Sequence, residues 1–376
     1  MSNETDMNLE RRIIERIEKE GPITFETFME MALYEPGLGY YASERTEIGK
    51  AGDFYTSPHL HPAFGAMIGR QIEEMWKVMK KPSEFSVVEI GAGAGYMCKD
   101  IIDYLGKRSF SPSAYIIVET NPFMRHKQEK LLEGIFDKVK WVSSLKDVGT
   151  IKGSIISNEL LDAFPVHIIE MEDELREIYV AVDHKTLTET KKDLSTDAIA
   201  DYIKEFSIEL TEEYRTEINL RIKDWLNSVD EILSEGFILT IDYGYPAWNY
   251  YSDYRNRGTL LCYHKHQLVE NPYQNIGEQD ITTHVNFSSV KKWGETLGLK
   301  TLGFCQQGAF LIALGIDEIM KELYENSKDY LFEVAKIKGL ILPGTMGETH
   351  KVIIQYKGKG YPELRGFSIK NQVDKL

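Results

Sequence analysis

A short apolar segment that runs directly into a glycine-rich turn constrains the fold of this chain more than any other feature. Phe85–Ile90 has the length and composition of a buried strand, and three glycines follow within Gly91–Gly95. Met97, Ile101 and Leu105 then recur at helical spacing. Glycines let a ligand approach the backbone, and a helix start offers oriented N–H groups. Because ligands of open α/β sheets lie at the carboxyl ends of the strands, this segment predicts a Rossmann-like fold with a nucleotide-like ligand over the turn.

Strands and helices alternate through much of the remaining chain. Short runs rich in β-branched residues are separated by segments with apolar residues at helical spacing. This order predicts an α/β fold with a mostly parallel sheet covered by helices on both faces. The predicted strands are Phe85–Ile90, Ala114–Glu119, Val139–Val142, Ser154–Ser157, Phe237–Asp242 and Lys351–Tyr356.

Two further regions predict additions to this sheet. Residues 1–80 are interpreted as an N-terminal helical lobe with a long loop, Tyr34–Pro58, which is rich in Gly, Tyr, Ser and Thr. Long ordered loops are often functional, and we expect this one to cover a cofactor. The main domain is predicted to span 81–376 and to contain an insertion at about 166–235, a surface lobe with helices in its Glu-, Lys- and Asp-rich part.

The composition narrows the environment and the partners of the chain. A formal net charge of −15 opposes binding to nucleic acid. No apolar run approaches the roughly 20 residues that span a bilayer. The N-terminal MSNETDMNLERR lacks the features of a secretory signal or a transit peptide. Cys98, Cys262 and Cys305 show no paired spacing, which indicates a reducing compartment. We therefore expect a cytoplasmic protein without membrane insertion, and the oligomeric state is left open.

The spacing of the glycines discriminates between cofactors. A dinucleotide fingerprint is G-x-G-x-x-G, whereas Gly91, Gly93 and Gly95 form G-x-G-x-G after the acidic Glu89. That spacing favours a methyltransferase, with a nicotinamide dehydrogenase as the less favoured alternative. Glu119 ends the next strand, where its carboxylate can accept hydrogen bonds from both ribose hydroxyls. These five residues are predicted to bind the cofactor.

Eight blocks of sequence carry a resemblance to a known family. They are GDFYTSPHLHPAFG (52–65), VVEIGAGAG (87–95), VETNPFMRHKQ (118–128), SNELLDAFPVH (157–167), IDYG (241–244), GTLLCYHKH (258–266), GEQDITTHVNF (277–287) and MGETHKV (346–352). In content and order they resemble the MidA family of S-adenosylmethionine-dependent protein arginine methyltransferases. The chain departs from that pattern at His59, where an acidic residue is common, and at Ala92 and Ala94, where proline and arginine are common.

The resemblance implies a fold, a cofactor and an acceptor. The implied fold is the class I methyltransferase fold, a mostly parallel seven-stranded sheet. The implied cofactor is S-adenosyl-L-methionine, and the implied acceptor is an arginine side chain of a protein, with a respiratory complex I subunit as a candidate. A methyltransferase acting on a small molecule or another protein atom, and a catalytically silent assembly factor, are the alternatives.

Polar residues after the fourth predicted strand are candidates for gripping the acceptor. A guanidinium is protonated near neutral pH and is a poor nucleophile, and paired carboxylates can hold it in a bidentate grip. We expect Glu159 and Asp162 to do this, while Asn158 orients a neighbour or the cofactor. The structural alternative is that Asp162 caps a helix and Asn158 satisfies backbone groups.

Two loops supply the remaining candidates. Asp53, Thr56 and Ser57 are predicted to cover the cofactor, although Gly-Asp and Ser-Pro are also ordinary turn sequences. His284, in the same loop as Gln279 and Asp280, is a candidate proton acceptor, with a purely structural histidine as the alternative.

Two histidine pairs raise the question of a metal. His59 and His61, and likewise His264 and His266, lack a Cys or carboxylate at zinc-site spacing, so no metal site is predicted.

Overall fold

The computed structural model describes residues 8–44, 57–108, 110–135, 137–265, 267–325 and 327–376. None of the helices within these ranges is long and apolar enough to cross a membrane. The N-terminal part is mainly helical, as expected. Its elements are α1 (Leu9–Glu20), β1 (Ile23–Thr24), α2 (Phe25–Tyr34), α3 (Ser57–Leu60) and α4 (Ala63–Val78).

The next part forms one half of the central sheet. Each predicted strand here is present, and the predicted glycine turn lies between the first strand and its helix. The elements are β2 (Ser86–Ile90), α5 (Tyr96–Gly106), β3 (Ala114–Val118), α6 (Pro122–Leu131), β4 (Val139–Val142) and β5 (Ile151–Asn158).

The insertion contains a sheet that the sequence did not predict. It does carry helices, but β1 pairs with its strands to complete a separate antiparallel sheet, in which Ile178 and Val180 are buried. The many charged residues of this region obscure the two-residue period that indicates a strand. Its elements are β6 (His167–Met171), β7 (Leu175–Asp183), β8 (Thr186–Lys192), α7 (Asp197–Glu205), β9 (Arg215–Ile218) and α8 (Arg221–Ile232).

The C-terminal part completes the central sheet. The strand predicted at Phe237–Asp242 is longer in the structure, and the predicted closing strand is present. The elements are β10 (Leu233–Tyr245), α9 (Ala247–Tyr250), β11 (Leu261–His264), β12 (Gln267–Val269), β13 (Asp280–Thr282), β14 (Val285–Asn286), α10 (Phe287–Thr296), β15 (Lys300–Gln306), α11 (Gln307–Leu314), α12 (Ile316–Tyr324), α13 (Tyr330–Ile341), α14 (Met346–Thr349) and β16 (His350–Lys357).

The central sheet is mostly parallel, as predicted. Seven of its strands, among those described, run in the order β15-β16-β10-β5-β2-β3-β4, and the short β14 lies beside β10. The strands from β4 to β10 are parallel, and β16 is antiparallel to both of its neighbours. Two large hydrophobic clusters draw on alternate residues of its strands, with Val87 of β2 in one and Val88 in the other. The predicted α/β class and seven-stranded sheet are confirmed.

The N-terminal helices belong to two different cores. Residues of α1 and α2, such as Ile13 and Phe28, share a hydrophobic cluster with β6 and β7 of the insertion. Residues of α4, such as Ile68, pack instead in a cluster with α5 of the main domain. The predicted domain boundary between residues 80 and 81 stays a prediction. Helix α4 precedes that boundary in sequence but packs with the main domain.

Candidate active site

A cleft opens where β2, β3 and β5 end. It encloses about 950 Å³ of space between protein atoms, its mouth included. The lining residues come from the three strand ends and the turns after them, from α2 and its following turn, from α3, and from the first turns of α5 and α6: Tyr34, Tyr41, Pro58, His59, Glu89, Gly91, Ala92, Gly93, Tyr96, Met97, Glu119, Thr120, Met124, Asn158, Glu159, Leu160 and Ala163.

The glycine turn needs its glycines for conformation as well as for space. Gly91, Gly93 and Gly95 have φ angles of 71°, 53° and 86°, a region that side chains disfavour. A Cβ on Gly91 would lie 3.1 Å from Cδ1 of Leu160, and one on Gly95 would lie 3.3 Å from Cγ of Gln128. Gly91 and Gly93 line the cleft, whereas Gly95 begins α5 behind it.

Glu119 is held in place by a residue that the sequence analysis did not single out. Its Oε1 accepts a hydrogen bond from the Asn121 backbone N–H at 2.9 Å, and its Oε2 accepts one from Gln128 Nε2 at 2.8 Å. Gln128 Nε2 also donates to the Gly93 carbonyl at 2.7 Å, so a buried amide links the acidic residue to the glycine turn. The sequence signal that could have identified Gln128 is its position four residues after Met124, on the same buried face of α6.

Glu89 lies buried at the edge of the cleft. Its Oε2 accepts a hydrogen bond from the Tyr115 hydroxyl at 2.5 Å. Burial raises the pKa of Glu89 to about 7, and the bond from Tyr115 partly opposes this. Its Oε1 is buried without a hydrogen-bond partner among the described residues. A buried oxygen of this kind is an open acceptor for a ligand.

The turn after β5 holds its acidic residue in a strained conformation. Glu159 has a φ of 50°, in the left-handed region, and its N–H donates to the Ile241 carbonyl at 2.9 Å. Asp242 supports the turn, because its Oδ2 accepts the N–H groups of Leu160, Leu161 and Asp162 at 3.2, 2.9 and 3.3 Å. Strain of this kind persists only where the surroundings enforce it, and it clusters at functional sites.

Three groups surround the carboxylate of Glu159. Its Oε1 accepts hydrogen bonds from Asn158 Nδ2 at 3.1 Å and from the Ser57 N–H at 3.3 Å. His350 Nε2 lies 3.6 Å from the same oxygen. The structure therefore brings together Asn158, Ser57 and Glu159 of the predicted residues, and adds His350. The other two predicted loop residues, Asp53 and Thr56, lie outside the described residues.

The family comparison covers these same elements. Residues 67–305, from α4 into β15, match the model of a family described as S-adenosyl-L-methionine-dependent methyltransferase. This chain belongs to that family. Its cofactor is S-adenosyl-L-methionine, as predicted. The methyltransferase interpretation of the glycine spacing is thus confirmed over the dehydrogenase alternative.

Relatives of this methyltransferase match over nearly the whole chain. The Caenorhabditis elegans protein arginine methyltransferase NDUFAF7 homolog, mitochondrial, is 27% identical over 92% of this chain and 85% of its own length. The human protein arginine methyltransferase NDUFAF7, mitochondrial, is 26% identical over 90% of this chain and 81% of its own. A crystal structure of a Burkholderia thailandensis protein bound to S-adenosyl-homocysteine is 28% identical, with a TM-score of 0.91 over 98% of this chain and 96% of that one. The resemblance found from the motifs is confirmed.

The predicted cytoplasmic location is wrong. The curated relatives from Caenorhabditis elegans, rat and human are all named as mitochondrial proteins. The prediction depended on the composition of the N-terminal residues and the unpaired cysteines. Targeting depends on recognition signals that are separate from the fold and from the site.

The residues of the methyltransferase cleft fit a nucleoside cofactor. The unpartnered Oε1 of Glu89 and the carboxylate of Glu119 both lie on its wall as hydrogen-bond acceptors. At the glycine turn a Cβ would occupy the space that Gly91 leaves open, so the backbone itself forms part of the wall. Burial also raises the pKa of Glu119, and its bonds to Asn121 and Gln128 oppose this rise.

Asp162 is buried behind the cleft wall. Burial raises its pKa to about 7, the Tyr243 hydroxyl opposes this, and the nearby Glu159 carboxylate adds to it. Its Oδ1 has no hydrogen-bond partner among the described residues. It precedes no helix, since the chain continues through a turn to β6, so the helix-cap alternative is not supported.

The loop that carries His284 lies against the tyrosines of β10. The His284 ring stacks on Tyr245 at 5.2 Å and contacts Tyr243 edge-on at 5.1 Å, measured between ring centroids. Burial lowers the pKa of His284 to about 4. It does not line the cleft among the described residues. Its role as proton acceptor stays a prediction.

The other two residues of that loop have different partners. Gln279 Nε2 donates to two backbone carbonyls, those of Asn271 and Pro272, at 3.1 and 3.0 Å. Asp280 Oδ1 accepts a hydrogen bond from the Tyr41 hydroxyl at 2.8 Å. The loop is therefore linked to the cleft through Tyr41.

Two tyrosines form an aromatic wall of the cleft. The sequence analysis placed them only in the loop that begins at Tyr34. The rings of Tyr34 and Tyr41 stack with centroids 5.7 Å apart, and both line the cleft. The Tyr34 hydroxyl donates to the Ala163 carbonyl at 2.9 Å, which ties the N-terminal lobe to the turn after β5. The abundance of tyrosine between residues 34 and 58 was the available signal.

The described histidines of the two pairs contact different groups. His61 Nε2 lies 3.1 Å from Glu333 Oε2, and the His59 ring packs edge-on against Tyr96. His264 Nδ1 lies 2.8 Å from the Glu278 carbonyl oxygen, and residue 266 is outside the described residues. In the part of the chain that the structure describes, no group of three or more His, Cys, Asp or Glu side chains is placed to hold a metal ion.

Proposed function

We propose that this protein transfers a methyl group from S-adenosyl-L-methionine to the side chain of an arginine in a protein. Two sets of facts support this. Relatives from worm to human, 26–27% identical over 90% or more of the chain, are named protein arginine methyltransferases. The turn after β5 also has the acidic Glu159 at the wall of the cofactor cleft, with Asp162 behind it, where a cationic acceptor would meet negative charge.

The observation that carries the proposal is the pairing of Glu159 with Asp162. Two neighbouring buried carboxylates repel each other, and Glu159 contributes to the raised pKa of Asp162. A guanidinium between them would relieve this repulsion and supply N–H donors to Asp162 Oδ1, which lacks a partner among the described residues. Guanidinium and carboxylate groups match in geometry as well as in charge.

Residues on the opposite side of the cleft are proposed to hold the cofactor. Gly91 and Gly93 would accommodate it against the backbone, and Glu119 and Glu89 would accept hydrogen bonds from its hydroxyl and amino groups. Gly95 would act indirectly by starting α5, and Asn158 by orienting Glu159. When bound, the cofactor supplies an electrophilic methyl group on a sulfonium.

The chain's own residues then have three tasks in the proposed mechanism. Glu159 and Asp162 fix the acceptor nitrogen in line with the methyl group, which lowers the entropic part of the barrier. Tyr34 and Tyr41 form an apolar wall that excludes water. The loop that contains Asp53, Thr56 and Ser57 is proposed to cover the cofactor. The carboxylates also favour removal of the proton that the reacting nitrogen must lose.

The acceptor is proposed to be a protein with an accessible arginine, and a respiratory complex I subunit is the candidate implied by the family resemblance. A small-molecule acceptor or a silent assembly factor are the alternatives. The acidic Glu159 at the cleft wall favours a cationic acceptor, and its strained backbone favours a catalytic protein over a silent one, because strain of this kind clusters at functional sites.

Comparing wild-type protein with Glu159→Gln tests the proposal. Proteins extracted from cells that lack this protein would be incubated with methyl-labelled S-adenosylmethionine and then hydrolysed, and methylarginine would be quantified. We expect the wild type to form methylarginine and Glu159→Gln to form at least about 100-fold less, the scale of a lost acid–base contribution. Affinity for S-adenosylhomocysteine, measured by calorimetry, should stay within about 2-fold.

Two results would contradict it. Label in another amino acid or in a small molecule would reject arginine as the acceptor. A loss of S-adenosylhomocysteine affinity in Glu159→Gln equal to the loss of activity would place Glu159 in the cofactor site. Glu133→Gln, on an exposed position after α6, serves as the matched control and should behave as wild type.

A further inference from the structure

His350 faces Glu159 from the first residue of β16. The two side chains are 7% and 8% exposed, and His350 Nε2 lies 3.6 Å from Glu159 Oε1. This nitrogen is buried and makes no hydrogen bond to any described residue. A buried ring nitrogen without a partner is costly unless it serves a function or is bridged by a ligand or water.

The other nitrogen of the same ring contacts a residue at the surface. His350 Nδ1 lies 3.1 Å from the hydroxyl oxygen of Thr349, a solvent-exposed residue whose hydroxyl also donates to the Thr345 carbonyl at 3.3 Å. One imidazole therefore lies between a buried carboxylate and the hydroxyl of an exposed residue. Because imidazole can accept a proton on one nitrogen and release one from the other, this geometry suits proton transfer.

Methyl transfer to arginine, on which this inference rests, requires such a transfer. Before the reaction the sulfonium and the guanidinium each carry one positive charge. Afterwards the sulfur is a neutral thioether and the methylated guanidinium keeps one positive charge. One proton must therefore leave the nitrogen that receives the methyl group.

We propose that His350 relays this proton from Glu159 to solvent. As the N–C bond forms, the S–C bond breaks with its electron pair remaining on sulfur, and the N–H proton passes to the Glu159 carboxylate. It then moves from Glu159 to His350 Nε2, and a proton leaves from His350 Nδ1 through the Thr349 hydroxyl. His350 is a positioning and relay residue that acts through Glu159 and does not itself touch the acceptor.

The groups around His350 are compatible with this role. Glu159 and Asp162 are the acidic groups that face it. Tyr243 contacts the ring at 5.6 Å between centroids, and His284 contacts Tyr243 in turn. Lys351 is turned away, with its Nζ donating to two backbone carbonyls of α14. No contact between His284 and Glu159 is found among the described residues, so His350 is the better placed of the two histidines.

The first test is chemical rescue. His350→Ala and His350→Gln would be assayed for methylarginine formation on the protein extract described above, over a range of pH. We expect the rate to fall by about 100-fold near neutral pH and to be partly restored in His350→Ala by added imidazole. S-adenosylhomocysteine affinity should be unchanged. His184→Ala, in the exposed β7–β8 turn where the ring is 95% exposed, is the control and should keep the wild-type profile.

The second test does not depend on activity. The His350 imidazole nitrogens would be observed by ¹⁵N NMR in the wild type and in Glu159→Gln, both bound to S-adenosylhomocysteine. Loss of the facing carboxylate should change the ¹⁵N chemical shift of Nε2 more than that of Nδ1, and an unchanged Nε2 shift would reject the pairing. This measurement also decides the matter if His350→Ala fails to fold.

The two hypotheses fail in different ways. A wild-type protein that forms no methylarginine would overturn the proposed function. A wild type that forms it, beside a His350→Ala variant with the full rate and an unaltered pH profile, would overturn the relay alone.

Discussion

Individual carboxylates around the cleft differ in how their burial is compensated. Asp242 accepts three backbone N–H groups on one oxygen and one on the other, so its role is to support the turn. Glu89 and Asp162 each keep one buried oxygen without a hydrogen bond among the described residues. Glu159 keeps a strained backbone. Buried polar groups are normally satisfied, which is why we propose that a ligand completes the open oxygens of Glu89 and Asp162.

The ionisation of Glu89 should appear in the pH dependence of stability. Its pKa is raised from 4.5 to about 7, so the protonated form stabilises the fold below about pH 4.5, and this contribution is lost as the pH rises through about 7. It amounts to about 3 kcal/mol. Between about pH 5 and about pH 8, the free energy of unfolding of cofactor-free wild type should fall by up to that amount more than that of Glu89→Gln. Urea unfolding measures this, and parallel curves for the two proteins would contradict the assignment.

At the scale of elements, the site depends on three strand ends and the helices that follow them. The β2–α5 turn, the end of β3 and the turn after β5 meet because parallel strands end at the same edge of the sheet. Gln128 of α6 joins the first two, and α2 closes the cleft from the N-terminal lobe through Tyr34. Each element thus contributes to a wall, and hydrogen bonds donated by side chains join the walls.

The glycine turn offers a prediction with a matched control. Gly91 and Gly134 both have a φ of +71°, but only Gly91 has an atom within 4 Å of an added Cβ and lies at the cleft. Alanine at either position should cost about 1–2 kcal/mol of stability, because a side chain strains the left-handed backbone. Only Gly91→Ala should also weaken S-adenosylhomocysteine binding, by at least about 10-fold in calorimetry. Equal affinities in the two variants would show that the backbone at Gly91 does not contact the cofactor.

At the scale of the whole molecule, the central sheet was predictable because its strands are short, apolar and bounded by turn residues. The acidic residues at the ends of β3 and β5 were predictable for the same reason. Contacts between distant segments were not, since Gln128, Asp242 and His350 act through partners that only the fold brings close. The insertion was predicted as a lobe with helices because its charged residues mask the alternation of β7, and its sheet needs β1 from the N-terminus.

The net charge of the molecule predicts how salt affects the reaction. A protein with a formal charge of −15 attracts a cationic acceptor, and salt screens that attraction. Raising the ionic strength from about 0.05 M to about 0.5 M should slow methylation at low acceptor concentration by several-fold. Affinity for S-adenosylhomocysteine, which carries no net charge, should change by less than about 2-fold. A methylation rate that is independent of salt would contradict an electrostatic contribution to acceptor binding.

The most direct test of the account is a crystal structure of the protein with S-adenosylhomocysteine and an arginine-containing peptide. The account predicts that the ribose hydroxyls bond to Glu119, that the nucleoside lies over Gly91 and Gly93, and that the arginine guanidinium contacts Glu159 beside the sulfur. A nucleoside bound elsewhere, or a guanidinium remote from Glu159, would contradict it.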